Sequence, residues 1–87
     1  MLFGMGYEAA EAKFLKRLGQ RIRSIREEKA WSQEKLSFEC HLHRTYISSV
    51  ERGERNIAVI NLRKVATALG ISLAQLLDGL DSPENEQ

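Results

Sequence analysis

Eighty-seven residues with 43% hydrophobic and 29% charged side chains and a single proline describe one small helix-rich globule, not a disordered chain, and a domain of that size buries only about 60% of its unfolded surface. One cysteine excludes an internal disulfide framework and suits a reducing cytoplasm, and no apolar run approaches the roughly 20 residues that span a membrane. The net charge of +1 conceals segments: residues 13–31 hold seven Lys/Arg against two Glu and residues 44–64 five against two, whereas residues 65–87 hold four acids and no base, so the fold has either a basic end able to approach phosphates or simply alternating solvated faces.

In chain order, the opening MLFGMGY is too short and too poor in basic residues for a secretory signal, so residues 1–8 are expected to form a mobile leader. Leu15, Leu18, Ile22 and Ile25 recur at i, i+3, i+7 and i+10 and predict an amphipathic first helix from Glu8 to Lys29 with a basic outer face. Gly19 inside it costs up to about 1 kcal/mol of helix preference relative to Ala, or marks close approach by a neighbour. Trp31 closes the segment. Ser32 is an N-cap for a second helix from Gln33 to Cys40, in which Leu36 and Cys40 face inward. Three residues, His41, Leu42 and His43, connect it to a third helix closed by Gly53. A loop runs through Asn56. Leu62, Val65, Ala66 and Leu69 mark a fourth helix ended by Gly70, and Ser72 caps a short fifth helix bearing Leu73, Leu76 and Leu77 and ended by Gly79. Residues 81–87 are expected to fray. With no strand pattern and no repeat, residues 1–87 form one all-α, five-helix domain.

The third helix carries the functional signal. In HRTYISSVERGERN, Arg44, Thr45, Ser48, Ser49 and Arg52 fall within an arc of roughly 140° at about 100° per residue, and Tyr46, Ile47 and Val50 take the other side. One face therefore bears guanidinium groups and short hydroxyls with no long apolar side chain. Such a face either lies in solvent or reads base edges in a DNA major groove.

The stretches LGQRIRSIREEKAWSQEKLS and HRTYISSVERGERNI, within a run from Leu18 to Leu77, resemble the helix-turn-helix domain of Cro and phage repressors, the xenobiotic-response-element-like family. They are most similar to the small controller proteins of restriction-modification systems. The resemblance implies a lambda-repressor-like fold whose second and third helices form the helix-turn-helix. It implies that Arg44, Thr45 and Ser49, then Ser48 and His43, face base edges, and that Gln33 bonds a phosphate while supporting helix three. Tyr46, Arg52, Arg55 and Asn56 suit backbone contacts, which position without reading sequence. Tyr46 can equally be a core-edge ring and Arg52 a helix-end cation. Arg26 and Glu51 match positions that pair between helices one and three. Glycine is usual where this chain has His41, because that turn often needs a positive φ.

The resemblance further implies a homodimer on double-stranded DNA with pseudo-palindromic half-sites, acting on its own promoter and that of the endonuclease. A phage-type repressor or an antitoxin-like protein-binding module is the alternative. Leu73, Leu76, Leu77 and Leu80 exceed what one short helix can bury and are expected at the dimer interface. Cys40, His41 and His43 offer only three metal donors where a structural zinc needs four. No phosphate loop, HExxH or nucleophile with a base partner is present. No metal, cofactor, small-molecule ligand or catalysis is expected.

Overall fold

The apolar stripe of the first segment becomes α1 (Ala9–Glu28), which buries Leu15, Leu18 and Ile22 together with Gly19 and Arg26. Four helices follow in this computed structural model: α2 (Gln33–Cys40), α3 (Arg44–Glu51), α4 (Val59–Leu69) and α5 (Leu73–Leu77). Residues 8–82 are described, and no strand occurs among them. The expectations for residues 1–7 and 83–87 lie outside the described residues. Glu8 is the N-cap of α1, its backbone N–H donating to Glu11 Oε1 at 3.2 Å.

Polar starts and left-handed stops set the boundaries. Ser32 Oγ accepts from Lys35 N–H at 3.0 Å, and Ser72 Oγ and Gln75 Oε1 each accept the other residue's backbone N–H at 3.0 and 2.8 Å. At the C-terminus of α3, Gly53 takes φ 78° so that its N–H and that of Glu54 donate to the carbonyls of Val50 and Ser49. The same paired bonds end α1, with Ala30 at φ 60°, its N–H reaching Glu27 and that of Trp31 reaching Arg26. His41 takes the left-handed position after α2, at φ 60° and ψ 37°. An exposed non-glycine residue there costs about 1–3 kcal/mol, part of which glycine would return as greater freedom of the unfolded chain. His41→Gly is therefore expected to keep the fold and raise stability by roughly 0.5–1 kcal/mol. A drop in melting temperature in a calorimetric scan would refute it.

α1 packs on α3 and α5, α2 on α3 and α4, and α4 on α5. Ile22, Leu36, Ile47, Val50, Val65, Leu69 and Leu76 are fully buried at the centre. Cys40 is buried among them, and burial pushes its thiol pKa up.

Two features depart from the sequence reading. Leu76 and Leu80, expected at a dimer surface, lie in the core, while Leu73 and Leu77 pack half-buried at its edge. The reason is a clasp across α1 and α5. Arg17 donates to the carbonyls of Gly79 and Ser82 at 3.0 and 3.4 Å, and Arg21 to those of Leu76 and Asp78 at 3.2 and 3.0 Å. Arg21 thereby meets the last carbonyls of α5 and Arg17 those of the segment that follows it, which holds Leu76 and Leu80 against α1. The basic charge of α1 is thus spent on the fold at Arg17, Arg21 and Arg26, so the outer face of this helix is less available to phosphates than the charge count implies. Among the described residues the large exposed apolar side chains are Phe38, Val59 and Ile60, none of which the periodicity singled out. No helix among the described residues is long and apolar enough to cross a membrane.

Candidate nucleic-acid interface

A buried polar brace fixes α3. Arg26 of α1 grips Glu51 of α3 with two charge-assisted hydrogen bonds, Nε to Oε2 at 2.7 Å and Nη2 to Oε1 at 2.8 Å, and its Nη1 donates to the Trp31 carbonyl at 2.8 Å. The side chains keep 9% and 2% of their exposure. The hydrogen bond to Glu51 raises the Arg26 pKa, so the guanidinium stays charged despite burial. Gln33, first residue of α2, adds Nε2 to Glu51 Oε1 at 2.9 Å. One carboxylate therefore ties α3 to both preceding helices. Gly19 completes the seat: a Cβ there would lie 2.5 Å from the Val50 carbonyl oxygen, so the backbones of α1 and α3 meet directly.

With Ile47 and Val50 turned into the core, the other side of α3 faces out. Arg44 and Thr45 are exposed, and Ser48 and Ser49 half-exposed beside them. Arg44 Nε lies 3.7 Å from Glu34 Oε2, a pair open to solvent on both sides and worth at most about 1 kcal/mol, so a stronger acceptor can take the guanidinium. Ser49 Oγ donates to the Tyr46 carbonyl at 2.8 Å, which leaves its lone pairs outward. Arg52 closes the helix, its Nη1 donating to Ser48 Oγ at 2.5 Å and its Nη2 lying 3.1 Å from Glu54 Oε1. The Arg52 hydrogen bond holds the Glu54 carboxyl below the usual carboxylate range.

Tyr46 takes the core-edge placement. Its ring sits half-buried at the core edge under the Arg55 guanidinium, 5.2 Å from the centroid, and its hydroxyl accepts from Asn61 Nδ2 at 3.3 Å while keeping its own proton to donate. Arg55 and Asn56 follow, exposed, in the loop. Gln33 is committed to Glu51 through one amide proton, leaving the second for an anion. The structure thus leaves Arg44, Thr45, Ser48 and Ser49 on the outward side of α3, with Arg52, Arg55 and Asn56 exposed in the chain that follows and Asn56 beside the start of α1.

His43 has a role the sequence reading missed. It is the N-cap of α3, Nδ1 accepting from Thr45 N–H at 3.2 Å. Imidazole lies outside the usual Ser, Thr, Asp and Asn set, so no capping signal marked it. With Cys40 buried and His43 turned to Thr45, the trio of Cys40, His41 and His43 does not converge, and no cluster of three metal-donor residues occurs among the described residues.

The helix-turn-helix family profile matches residues 22–76, which span the brace and all of α3. The control protein C.BamHI of Bacillus amyloliquefaciens is 56% identical over 61 residues, covering 69% of this chain and 75% of that protein. The chain belongs to the helix-turn-helix family of restriction-modification control proteins. Its fold agrees. The crystal structure of the controller protein C.AhdI from Aeromonas hydrophila superimposes with a TM-score of 0.70 at 47% identity, over 71% of this chain and 94% of that one. The controller protein C.Esp1396I, solved as a tetramer with its natural 35 base-pair operator, superimposes with a TM-score of 0.71 at 34% identity, over 77% and 88%. As a member of this family, the chain is a DNA-binding transcription regulator.

Proposed function

We propose that α3 enters the major groove of an operator and that Arg44, Thr45 and Ser49, flanked by Ser48 and His43, read its bases. What supports this reading is the outward face of α3: an exposed guanidinium and three hydroxyls, clear of long apolar side chains, on a helix braced by Arg26, Glu51 and Gln33. A guanidinium can bond O6 and N7 of guanine together, worth about 1–3 kcal/mol of discrimination. Gln33, Tyr46, Arg52, Arg55 and Asn56 hold phosphates on either side of the groove and set its register.

The protein works as a homodimer that places two copies of α3 on pseudo-palindromic half-sites about 34–36 Å apart. Leu73 and Leu77 of α5 supply the contact that remains after Leu76 and Leu80 are taken into the core. By analogy with its relatives the regulator acts in the bacterial cytoplasm on its own promoter and that of a restriction endonuclease. It acts by binding alone, as one domain across residues 1–87, without catalysis, metal, cofactor or small ligand.

The test compares two arginines. Arg44→Ala is expected to relax preference at one base-pair position by about 1–3 kcal/mol. Arg55→Ala is expected to weaken specific and random duplexes alike and to flatten the slope of log affinity against log salt by about 0.9. Binding titrations over a salt series read both. Equal losses on specific and random DNA in the two variants would remove the distinction between reading and positioning.

A further inference from the structure

The cap of α3 determines what Thr45 can offer to DNA. A backbone N–H only donates, so the 3.2 Å bond from Thr45 N–H to His43 Nδ1 is one the ring makes only in the form with Nδ1 unprotonated. Thr45 Oγ1 lies 2.8 Å from that same nitrogen. In the ring form that accepts the backbone N–H, the hydroxyl is the donor across this gap and shares the Nδ1 lone pair with that N–H. The single hydroxyl hydrogen of Thr45 is thereby turned along the helix start toward the imidazole, and both oxygen lone pairs are left for whatever lies over the exposed face. In the neutral ring the imidazole proton sits on Nε2, at the opposite edge.

We propose that His43 is a specificity-determining positioning residue. It converts the ambivalent hydroxyl of Thr45 into a hydrogen-bond acceptor, so Thr45 selects an amino base, adenine through N6 or cytosine through N4, over a keto base, guanine or thymine, at the base it faces. A threonine hydroxyl without such a partner rotates to suit either class. Here rotation toward a keto oxygen would break the 2.8 Å bond to His43 and leave two acceptors facing each other. The inference rests on α3 being the base-reading helix and adds the chemical class of base that one of its residues accepts.

Selection of bound sequences from a random duplex pool, run on the full chain and its variants, tests it. The unaltered protein is expected to favour adenine or cytosine over guanine or thymine by about three- to tenfold at one position per half-site, the value of a single hydrogen bond. Thr45→Val, which keeps the shape and removes the hydroxyl, erases that preference. His43→Ala reduces it to under about twofold at the same position, and adding Thr45→Val to His43→Ala changes nothing more. His43→Asn keeps the preference, because the asparagine side-chain oxygen caps helices and accepts from both Thr45 donors. Circular dichroism of each variant verifies the fold.

Two results overturn the proposal alone: a guanine or thymine preference at the position that Thr45→Val erases, or a preference undiminished in a folded His43→Ala. If Thr45→Val alters no position while Arg44→Ala still relaxes one, Thr45 does not read bases and the proposal fails with α3 still the reading helix. If neither variant alters any position, the assignment of α3 itself fails.

Discussion

Glu51→Ala is expected to lower the melting temperature by at least about 12 °C, the largest loss of any single substitution considered. Removing this carboxylate leaves the Arg26 guanidinium charged and buried with the Trp31 carbonyl as its hydrogen-bond partner, and takes from the Gln33 amide its acceptor. Breaking one partner out of a buried ion pair costs about 3–5 kcal/mol. A chain of this length is stabilised by about 4–13 kcal/mol at 0.05–0.15 kcal/mol per residue, so the loss takes a large share of the total. Each kcal/mol corresponds to about 4–8 °C in a domain of this size. Replacing both partners, Arg26→Met with Glu51→Leu, is expected to recover most of the loss, because no uncompensated charge remains. Thermal unfolding followed by circular dichroism reads all three variants. A drop under about 4 °C for Glu51→Ala would mean that solvent reaches Arg26 and that the brace does not hold α3.

The starts of α2 and α5 and the ends of α3 and α4 were legible because they are written in local chemistry. Ser32 and Ser72 accept amide protons three residues ahead, and Gly53 and Gly70 supply positive φ where the chain turns out of a helix. Such signals need no knowledge of the rest of the molecule. Ala30 defeats them: it takes the same backbone conformation as Gly53, but its side chain announces nothing. His43 defeats them differently, since only the geometry of α3 shows its ring nitrogen acting where a serine oxygen is usual.

The inward turn of Leu76 and Leu80 was out of reach for another reason. It depends on Arg17 and Arg21, which lie 54 to 65 residues earlier and meet backbone carbonyls. Sequence shows a cation; it does not show an acceptor made of peptide groups. The basic outer face read for α1 and the leucines read as open to a partner therefore meet at the two ends of a single contact. The outward face of α3 was legible because Arg44, Thr45, Ser48 and Ser49 lie within six residues on one helix, where spacing alone sets the face.

Gly19→Ala sets two effects of known size against each other, and its sign shows how close α1 and α3 stand. Alanine is the better helix former by up to about 1 kcal/mol, so on local grounds the substitution stabilises. Against this, its Cβ would lie 2.5 Å from the Val50 carbonyl oxygen and 2.7 Å from the Glu51 carbonyl carbon. These are backbone atoms of α3, which cannot rotate aside as a side chain would. Overpacking of a tight core costs about 1–3 kcal/mol, and a backbone collision belongs at the top of that range. The net loss is expected to be about 2 kcal/mol, or about 8–16 °C in melting temperature. α1 can relieve the clash only by withdrawing from α3, which stretches the Arg26–Glu51 bonds two turns further along the helix, so operator affinity is expected to fall even where the variant is fully folded. Gln20→Ala, at the exposed neighbouring position, changes helix preference without meeting α3 and is expected to leave both stability and operator affinity unchanged. A Gly19→Ala protein that melts at or above the temperature of the unaltered chain would show that the helices have room for a methyl group, and that Arg26 and Glu51 hold α3 without the glycine seat.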